Sequence, residues 1–289
     1  MTTTHTLDVG DAVLTYDVRE ASTVDDRPPL VLIGAPMTAR GFDALATHLT
    51  DRRVITYDPR GLGRSTRSDG ATAQSPEVSA SDLHALLASL GRGPVELFAS
   101  SGGAVNALAL VAAHPDDISV LVAHEPPLLT VLPDADLAFA AEARGQEIYR
   151  TDGWGAGLAS FIAMTSWQGE FTEEFLTSPP PDPAAFGLPT EDDGGRDDPL
   201  LSGISNPVTA YVLDVDAVSA APTRVILAAG VESRRTITWR TTEGVAAAMD
   251  LPMTEFPSHH GGFLGEGFGQ PGQPQAFAER LRETLAAGF

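Results

Sequence analysis

Cysteine and lysine are both absent from the 289-residue sequence, and its 18 basic side chains, all arginine, stand against 39 acidic ones. Without cysteine there is no disulfide, no thiolate metal site, no iron–sulfur cluster and no cysteine nucleophile. Without lysine there is no Schiff-base lysine and no P-loop lysine. Covalent catalysis by this chain would therefore need a hydroxyl, a carboxylate or a histidine.

The charge balance and the absence of long apolar runs restrict the expected partners. A net charge of −21 is repelled by phosphate backbones and anionic membranes, which argues against nucleic acid and membrane partners. No run of 18 apolar residues occurs, and residues 1–10 lack the basic and apolar regions of a secretion signal. We therefore expect a cytoplasmic protein, a monomer or homodimer, that acts on a small molecule.

Short apolar, β-branched runs alternate with longer segments of helical period along most of the chain. An opening hairpin is expected at 7–18, where Gly10 and Asp11 interrupt a period-2 pattern. The later runs are apolar on both faces, as in central parallel strands, and lie at residues 30–33, 53–57, 95–99, 119–123, 224–228 and 253–256. The alternation predicts an α/β fold, a mostly parallel sheet covered by helices on both faces.

This alternation stops between residues 128 and 221. Amphipathic segments occur there, followed by a proline- and aspartate-rich stretch at 178–199. We predict a helical cap at 128–221, inserted into a core domain formed by residues 1–127 and 222–289. Acidic residues crowd the cap loop, so neutral or apolar substrates are expected over anionic ones. The cap residues expected to contact substrate are Trp154, Phe161, Met164 and Trp167.

A pair of serines followed by two glycines joins a predicted strand to a predicted helix. This pattern is typical of a nucleophile elbow, a strained turn that exposes a serine hydroxyl above the sheet. The turn accommodates only small side chains two residues before and two residues after the nucleophile. Ser101 has Ala99 and Gly103 at these positions, whereas Ser100 would have Phe98. We therefore identify Ser101 as the candidate nucleophile.

A serine nucleophile needs a histidine base that is held by a carboxylate. His259 and His260 follow the last predicted strand in a glycine-rich loop, from which a base can reach the strand ends. For the carboxylate we favour Glu125, which closes an apolar strand before two prolines, since a carboxylate is costly there without a partner. Glu232, in the turn after the run at 224–228, is the alternative.

The oxyanion of an acyl-transfer reaction needs backbone donors beside the nucleophile. One is the N–H of Gly102, and a second should come from the loop after the run at 30–33. Pro36 has no N–H, so Ala35 is the expected donor and Met37 the alternative; Met37 is also expected to contact substrate. Water would then release the acyl group, so no metal or other cofactor is required.

Four motifs, in this order, resemble those of the α/β-hydrolase superfamily: an oxyanion loop at Ala35, a D-x-R-G-x-G-x-S loop at 58–65, the elbow at 99–103 and a histidine loop at 257–263. The resemblance covers nearly the whole chain. It implies an eight-stranded, mostly parallel sheet flanked by helices, with a cap after strand 6. In the histidine loop of that superfamily the base stands third after the proline, which implies His260 rather than His259.

A closer resemblance is to the zearalenone-lactonase group of serine hydrolases. In that group the catalytic acid is the glutamate of a His-Glu-Pro-Pro motif at the end of the sixth strand, as at 124–127 here. The resemblance implies a Ser101–His260–Glu125 triad that hydrolyses an apolar carboxylic ester or lactone through an acyl-enzyme. The same triad serves C–C bond hydrolases and cofactor-free perhydrolases, and some proteins of this fold only bind ligands, so these alternatives stay open.

Overall fold

The structure is a computed structural model that describes residues 2–22, 27–91, 93–266 and 270–287. Its strands are β1 (Thr2–Asp8), β2 (Ala12–Arg19), β3 (Leu30–Ala35), β4 (Val54–Asp58), β5 (Thr66–Arg67), β6 (Val95–Ser101), β7 (Ile118–His124), β8 (Arg224–Gly230) and β9 (Met253–Phe256). Its helices are α1 (Asp43–Thr47), α2 (Pro76–Ser89), α3 (Gly102–Ala113), α4 (Ala135–Asp152), α5 (Trp154–Ser166), α6 (Glu173–Thr177), α7 (Asn206–Thr209), α8 (Val215–Ala220), α9 (Ile237–Ala248) and α10 (Pro274–Ala286).

The strands form one sheet in the order β1-β2-β4-β3-β6-β7-β8-β9, and the two-residue β5 pairs with β2. The β1–β2 hairpin and the β2–β4 pair are antiparallel. From β4 to β9 every pair of neighbours is parallel. The predicted α/β fold with a mostly parallel sheet is confirmed, and β5 adds a short ninth strand to the eight that were expected.

The central strands are buried on both faces because helices cover both sides of the sheet. In β3, Val31 and Ile33 belong to one core cluster, which includes residues of α2 and α3, whereas Leu30 and Leu32 belong to another, which includes residues of α1 and α10. This two-sided burial explains why the runs lack polar alternation. No helix of the described residues is long and apolar enough to cross a membrane.

The parallel strands bring their carboxyl ends to one edge of the sheet. Ala35 at the end of β3 pairs with Ser101 at the end of β6. On the other side of β6, Ser100 pairs with His124, which in turn pairs with Ala228 of β8. The segments that follow β3, β6, β7 and β8 therefore start next to one another, as is usual for ligand sites of open α/β sheets.

Five helices, α4 to α8, lie between β7 and β8 in the chain. Ala138 and Ala141 of α4 pack with Phe171 in a small core that also includes Ile237 of α9. Asp134, just before α4, forms a buried ion pair with Arg240 of α9, which ties the start of this block to the sheet domain. The block occupies the stretch in which we predicted a cap.

Candidate active site

Ser101 lies at the turn where β6 ends and α3 begins. Its φ of 58° and ψ of −134° are strained for a residue other than glycine. A Cβ added to Gly103 would lie 2.7 Å from Cα of Gly34 and 2.9 Å from the carbonyl oxygen of Ile33, so a larger residue would collide with the backbone of β3. This close packing is the geometry expected of an elbow centred on Ser101.

The two neighbouring serines have different surroundings. Ser100 is buried, and its Oγ lies 3.0 Å from Nδ1 of His124. Ser101 is partly exposed and lines a cavity of about 460 Å³. Phe98, two residues before Ser100, is fully buried in the core. The serine that faces open space is therefore Ser101.

Glu125 and His260 form a hydrogen-bonded pair across 135 residues of sequence. The separation between Nδ1 of His260 and Oε2 of Glu125 is 2.6 Å, with Nδ1 donating to the carboxylate. Because Nδ1 then carries the proton, Nε2 is the basic nitrogen. His260 lines the same cavity as Ser101, although no hydrogen bond joins their side chains in the described contacts. Such hydrogen bonds are often long in unliganded sites and shorten when substrate binds.

The carboxylate of Glu125 is inaccessible to solvent and held by several donors. The backbone N–H of Gly230 donates to Oε1 at 2.8 Å, and Oγ1 of Thr238 donates to Oε2 at 2.5 Å. Burial by itself raises the pKa of Glu125, but the charge and hydrogen bond of His260 and the hydroxyl of Thr238 outweigh it and lower the pKa overall. The group is therefore ionised and can stabilise a positive charge on His260.

His124 lies beside this pair and is also inaccessible to solvent. Its Nε2 is 4.0 Å from Oε1 of Glu125, and its ring lies 6.1 Å from that of His260. Burial lowers the pKa of His124 to about 4, although Glu125 acts in the opposite direction. The ring is neutral near pH 7, so it does not compete with His260 as the cation beside Glu125. The aromatic rings around it belong to Phe98, Phe256, Phe263 and Phe277.

The two alternatives from the sequence line the cavity without forming such a pair. Nδ1 of His259 accepts the N–H of Gly261 at 3.0 Å, and Nε2 lies 3.3 Å from the carbonyl oxygen of Pro271. Glu232 is exposed, and its backbone N–H donates to the carbonyl of Ser258 at 2.9 Å. Geometry thus favours Glu125 with His260 over Glu232 or His259.

The cavity lies between the strand ends and the helices that follow β7. Ala35 and Gly102, the predicted oxyanion donors, line it beside Ser101. Phe161 and Met164 of α5, two of the residues expected to contact substrate, line it from the helical block. The apolar part of the lining is completed by Pro127, Leu129, Leu200, Val208 and Ile237.

Met37, expected to contact substrate and to be the alternative oxyanion donor, is not part of the cavity lining. Its side chain packs where a Cβ of Gly34 or Gly41 would be, within 2.5 Å and 2.1 Å of those positions respectively. The two glycines create a groove that draws Met37 towards the core. The cavity lining therefore gives no support to the expected contact between Met37 and substrate.

Trp154 and Trp167, which were also expected to contact substrate, are likewise outside the cavity lining. Nε1 of Trp154 donates to Asp198 at 2.8 Å, which fastens α5 to the acidic loop. The ring of Trp167 packs on that of Phe175, with 5.0 Å between the centroids. Both indoles therefore serve the packing of the helical block.

Three functionally placed residues were missed from the sequence: Gly230 and Thr238, which donate to Glu125, and Glu142, which lines the cavity. A signal for Glu142 was present. Ala138 and Tyr149 are buried on α4, and positions 138, 142, 145 and 149 share one helical face, so Glu142 interrupts an inward face.

Comparison with known proteins identifies the fold. The family model of the alpha/beta hydrolase fold matches residues 28–160. A protein named as an uncharacterized hydrolase, YraK of Bacillus subtilis (strain 168), is 27% identical over 97% of this chain and 95% of its own length.

Solved structures agree over almost the whole chain. A hydrolase from Pseudomonas aeruginosa PA01 superimposes with a TM-score of 0.66 and 21% identity, covering 98% of both chains. A thermophilic esterase from Thermogutta terrifontis does so with a TM-score of 0.64 and 19% identity, again over 98% of both chains. The chain therefore has the α/β-hydrolase fold.

Proposed function

We propose that this protein is a serine hydrolase of carboxylic esters or lactones, with Ser101 as nucleophile, His260 as base and Glu125 as acid. The observation that carries the proposal is the 2.6 Å hydrogen bond between Glu125 and His260 at the cavity that Ser101 also lines. The structurally similar protein from Thermogutta terrifontis is an esterase, which supports the same reaction class.

In the proposed mechanism, Oγ of Ser101 attacks the carbonyl carbon of the substrate while Nε2 of His260 takes its proton. Glu125 stabilises the resulting imidazolium, and His260 then protonates the leaving alcohol. Water, deprotonated by His260, then attacks the acyl-enzyme, and the acid leaves as His260 returns the proton to Oγ of Ser101. The N–H groups of Ala35 and Gly102 would hold the oxyanion in both steps, and each such donor contributes roughly 3 kcal/mol.

Residues 128–221 act in this proposal as a cap that selects the substrate. Phe161 and Met164 supply apolar surface opposite the elbow, which suits neutral acyl or alkyl groups. The His-Glu-Pro-Pro motif at 124–127 keeps macrolactones among the substrates to be tested.

A fluorophosphonate probe, which reacts covalently with activated serine hydroxyls, tests the proposal. We expect the probe to label the wild-type protein on the peptide that contains Ser101, and labelling to be lost in Ser101→Ala. The matched control is Ser100→Ala, which removes the neighbouring buried hydroxyl and should still be labelled. Equal labelling of Ser101→Ala and the wild type would refute the proposed nucleophile.

A further inference from the structure

Glu142 is an acidic side chain inside the cavity that the proposed mechanism does not use. It lies on the inward face of α4 and lines the cavity together with Phe161, Met164 and Val208. A carboxyl group among apolar side chains is costly unless it has a partner. The groups that contact this carboxyl group therefore indicate which kind of ligand the cavity binds.

Within the described protein, Glu142 has one weak hydrogen bond and no ion pair. Oγ1 of Thr209 lies 3.2 Å from Oε2 of Glu142 and 3.1 Å from the carbonyl oxygen of Asn206, and its single proton serves only one of them at a time. Arg144, the nearest arginine in the sequence, donates instead to the carbonyls of Phe175 and Ser178. No arginine occurs among the described residues of the cavity lining.

Buried carboxylates among the described residues, apart from Glu125 of the proposed triad, are paired with arginine. Asp82 receives two hydrogen bonds from Arg60, and Glu96 is paired with Arg52 at 2.6 Å. Glu142 departs from this pattern, and burial raises its pKa to about 7 despite the hydroxyl of Thr209. No arginine pairs with Glu142 in the described structure, so a positively charged ligand could supply the missing partner.

We propose that Glu142 binds a protonated amine carried by the substrate, which makes amine-bearing esters or lactones the preferred class. The inference rests on the proposed function, since it assigns a substrate class to the same cavity. A cation is favoured over a neutral hydroxyl because it compensates the charge of Glu142, and the second carboxylate of the lining, Glu232, adds to the negative potential. The apolar side chains around Glu142 would hold the carbon chain of such a substrate.

Matched p-nitrophenyl esters measure this preference directly. The 6-aminohexanoate ester ends in an ammonium group where the heptanoate ester ends in a methyl group. The 8-aminooctanoate and nonanoate esters form a second such pair with a longer chain. The 6-hydroxyhexanoate ester carries a neutral hydrogen-bond donor at its end. In Glu142→Gln we expect kcat/KM for at least one ammonium ester to fall tenfold or more, and kcat/KM for the alkyl esters to change less than twofold.

Glu147→Gln is the matched control, because Glu147 lies on the same helix, is exposed and pairs with Arg150 outside the cavity. Glu147→Gln also removes one carboxylate, and it should leave the ratio of kcat/KM for the ammonium esters to kcat/KM for the alkyl esters unchanged. An equal loss in Glu147→Gln and Glu142→Gln would overturn the proposal, as would a wild-type preference for the hydroxyl ester over both ammonium esters.

A binding measurement separates this proposal from the proposed hydrolysis. Hexylammonium and 1-hexanol are titrated calorimetrically into Ser101→Ala and into the Ser101→Ala/Glu142→Gln double variant. We expect hexylammonium to bind Ser101→Ala at least tenfold more tightly than 1-hexanol does, and that advantage to disappear in the double variant. Unchanged hexylammonium affinity in the double variant would overturn the amine site, whether or not the protein hydrolyses esters.

Discussion

Three of the five non-glycine residues with positive φ in the described structure lie in or beside the proposed active site. Ser101, Glu125 and Ser258, which lies two residues before His260, have φ values of 58°, 50° and 70°. Such conformations cost on the order of 1–3 kcal/mol each and persist where the surroundings enforce them. Here the enforcing contacts are the backbone of β3 beneath the elbow and the backbone hydrogen bonds that join β7, β8 and the histidine loop.

The carboxyl group of Glu142 should make stability depend on pH. Its pKa is about 7 in the folded protein against 4.5 for the ordinary group, so the unfolded chain loses this proton first as pH rises. The contribution of Glu142 to stability is therefore unfavourable above pH 4.5 and reaches its full size above pH 7. At roughly 1.4 kcal/mol per pH unit over that interval, the penalty is on the order of 3 kcal/mol.

Glu142→Gln should consequently be more stable than the wild type at pH 8, and the gain should largely vanish at pH 4.5. Urea unfolding of both proteins at the two pH values measures this difference. An identical difference in unfolding free energy at both pH values would show that the carboxyl group is not protonated at neutral pH.

At the scale of elements, the cavity depends on how closely α4 and α5 approach each other. A Cβ on Gly157 of α5 would lie 2.6 Å from Cβ and 2.9 Å from Cα of Tyr149 on α4. Phe161 and Met164, which line the cavity, follow Gly157 by one and two turns of α5. The spacing of the two helices and the shape of the cavity are therefore coupled.

Gly157→Ala should force α5 away from α4, because the methyl group meets backbone rather than a flexible side chain. We expect a loss of about 1–3 kcal/mol in unfolding free energy and a raised KM for ester substrates. The control is Gly145→Ala on α4, where the nearest atom to the added Cβ is 4.0 Å away. Since alanine favours a helix over glycine, this control should gain about 0.5–1 kcal/mol. Equal effects of the two substitutions would contradict the packing argument.

At the scale of the whole molecule, sequence patterns predict the sheet and the elbow but not the cavity lining. Central strands such as β3 are buried on both faces, so each of them appears in the sequence as a continuous apolar run. The elbow can also be recognised from a short stretch of sequence, because the requirement for glycine at position 103 comes from a single turn. The pairing of Glu125 with His260 was accessible from the sequence through its motifs.

The lining of the cavity could not be predicted because it depends on how α4 to α8 pack. Trp154 and Trp167 have the size expected of pocket residues, yet their N–H groups and rings find partners within the block itself. Thr238 donates to Glu125 only because α9 follows β8 at the neighbouring strand end. Such contacts arise from tertiary packing between distant segments, which residue periodicity does not encode.

The proposed triad brings together the ends of three separated segments, and its acid is the most direct test of the account. The measurement is kcat for p-nitrophenyl acetate in Glu125→Gln and Glu232→Gln, with thermal unfolding to confirm that both variants are folded. We expect Glu125→Gln to lose roughly 10³-fold or more in kcat, because the imidazolium of His260 loses its counter-charge, and Glu232→Gln to stay near the wild-type value. Full activity in Glu125→Gln together with its loss in Glu232→Gln would contradict the account.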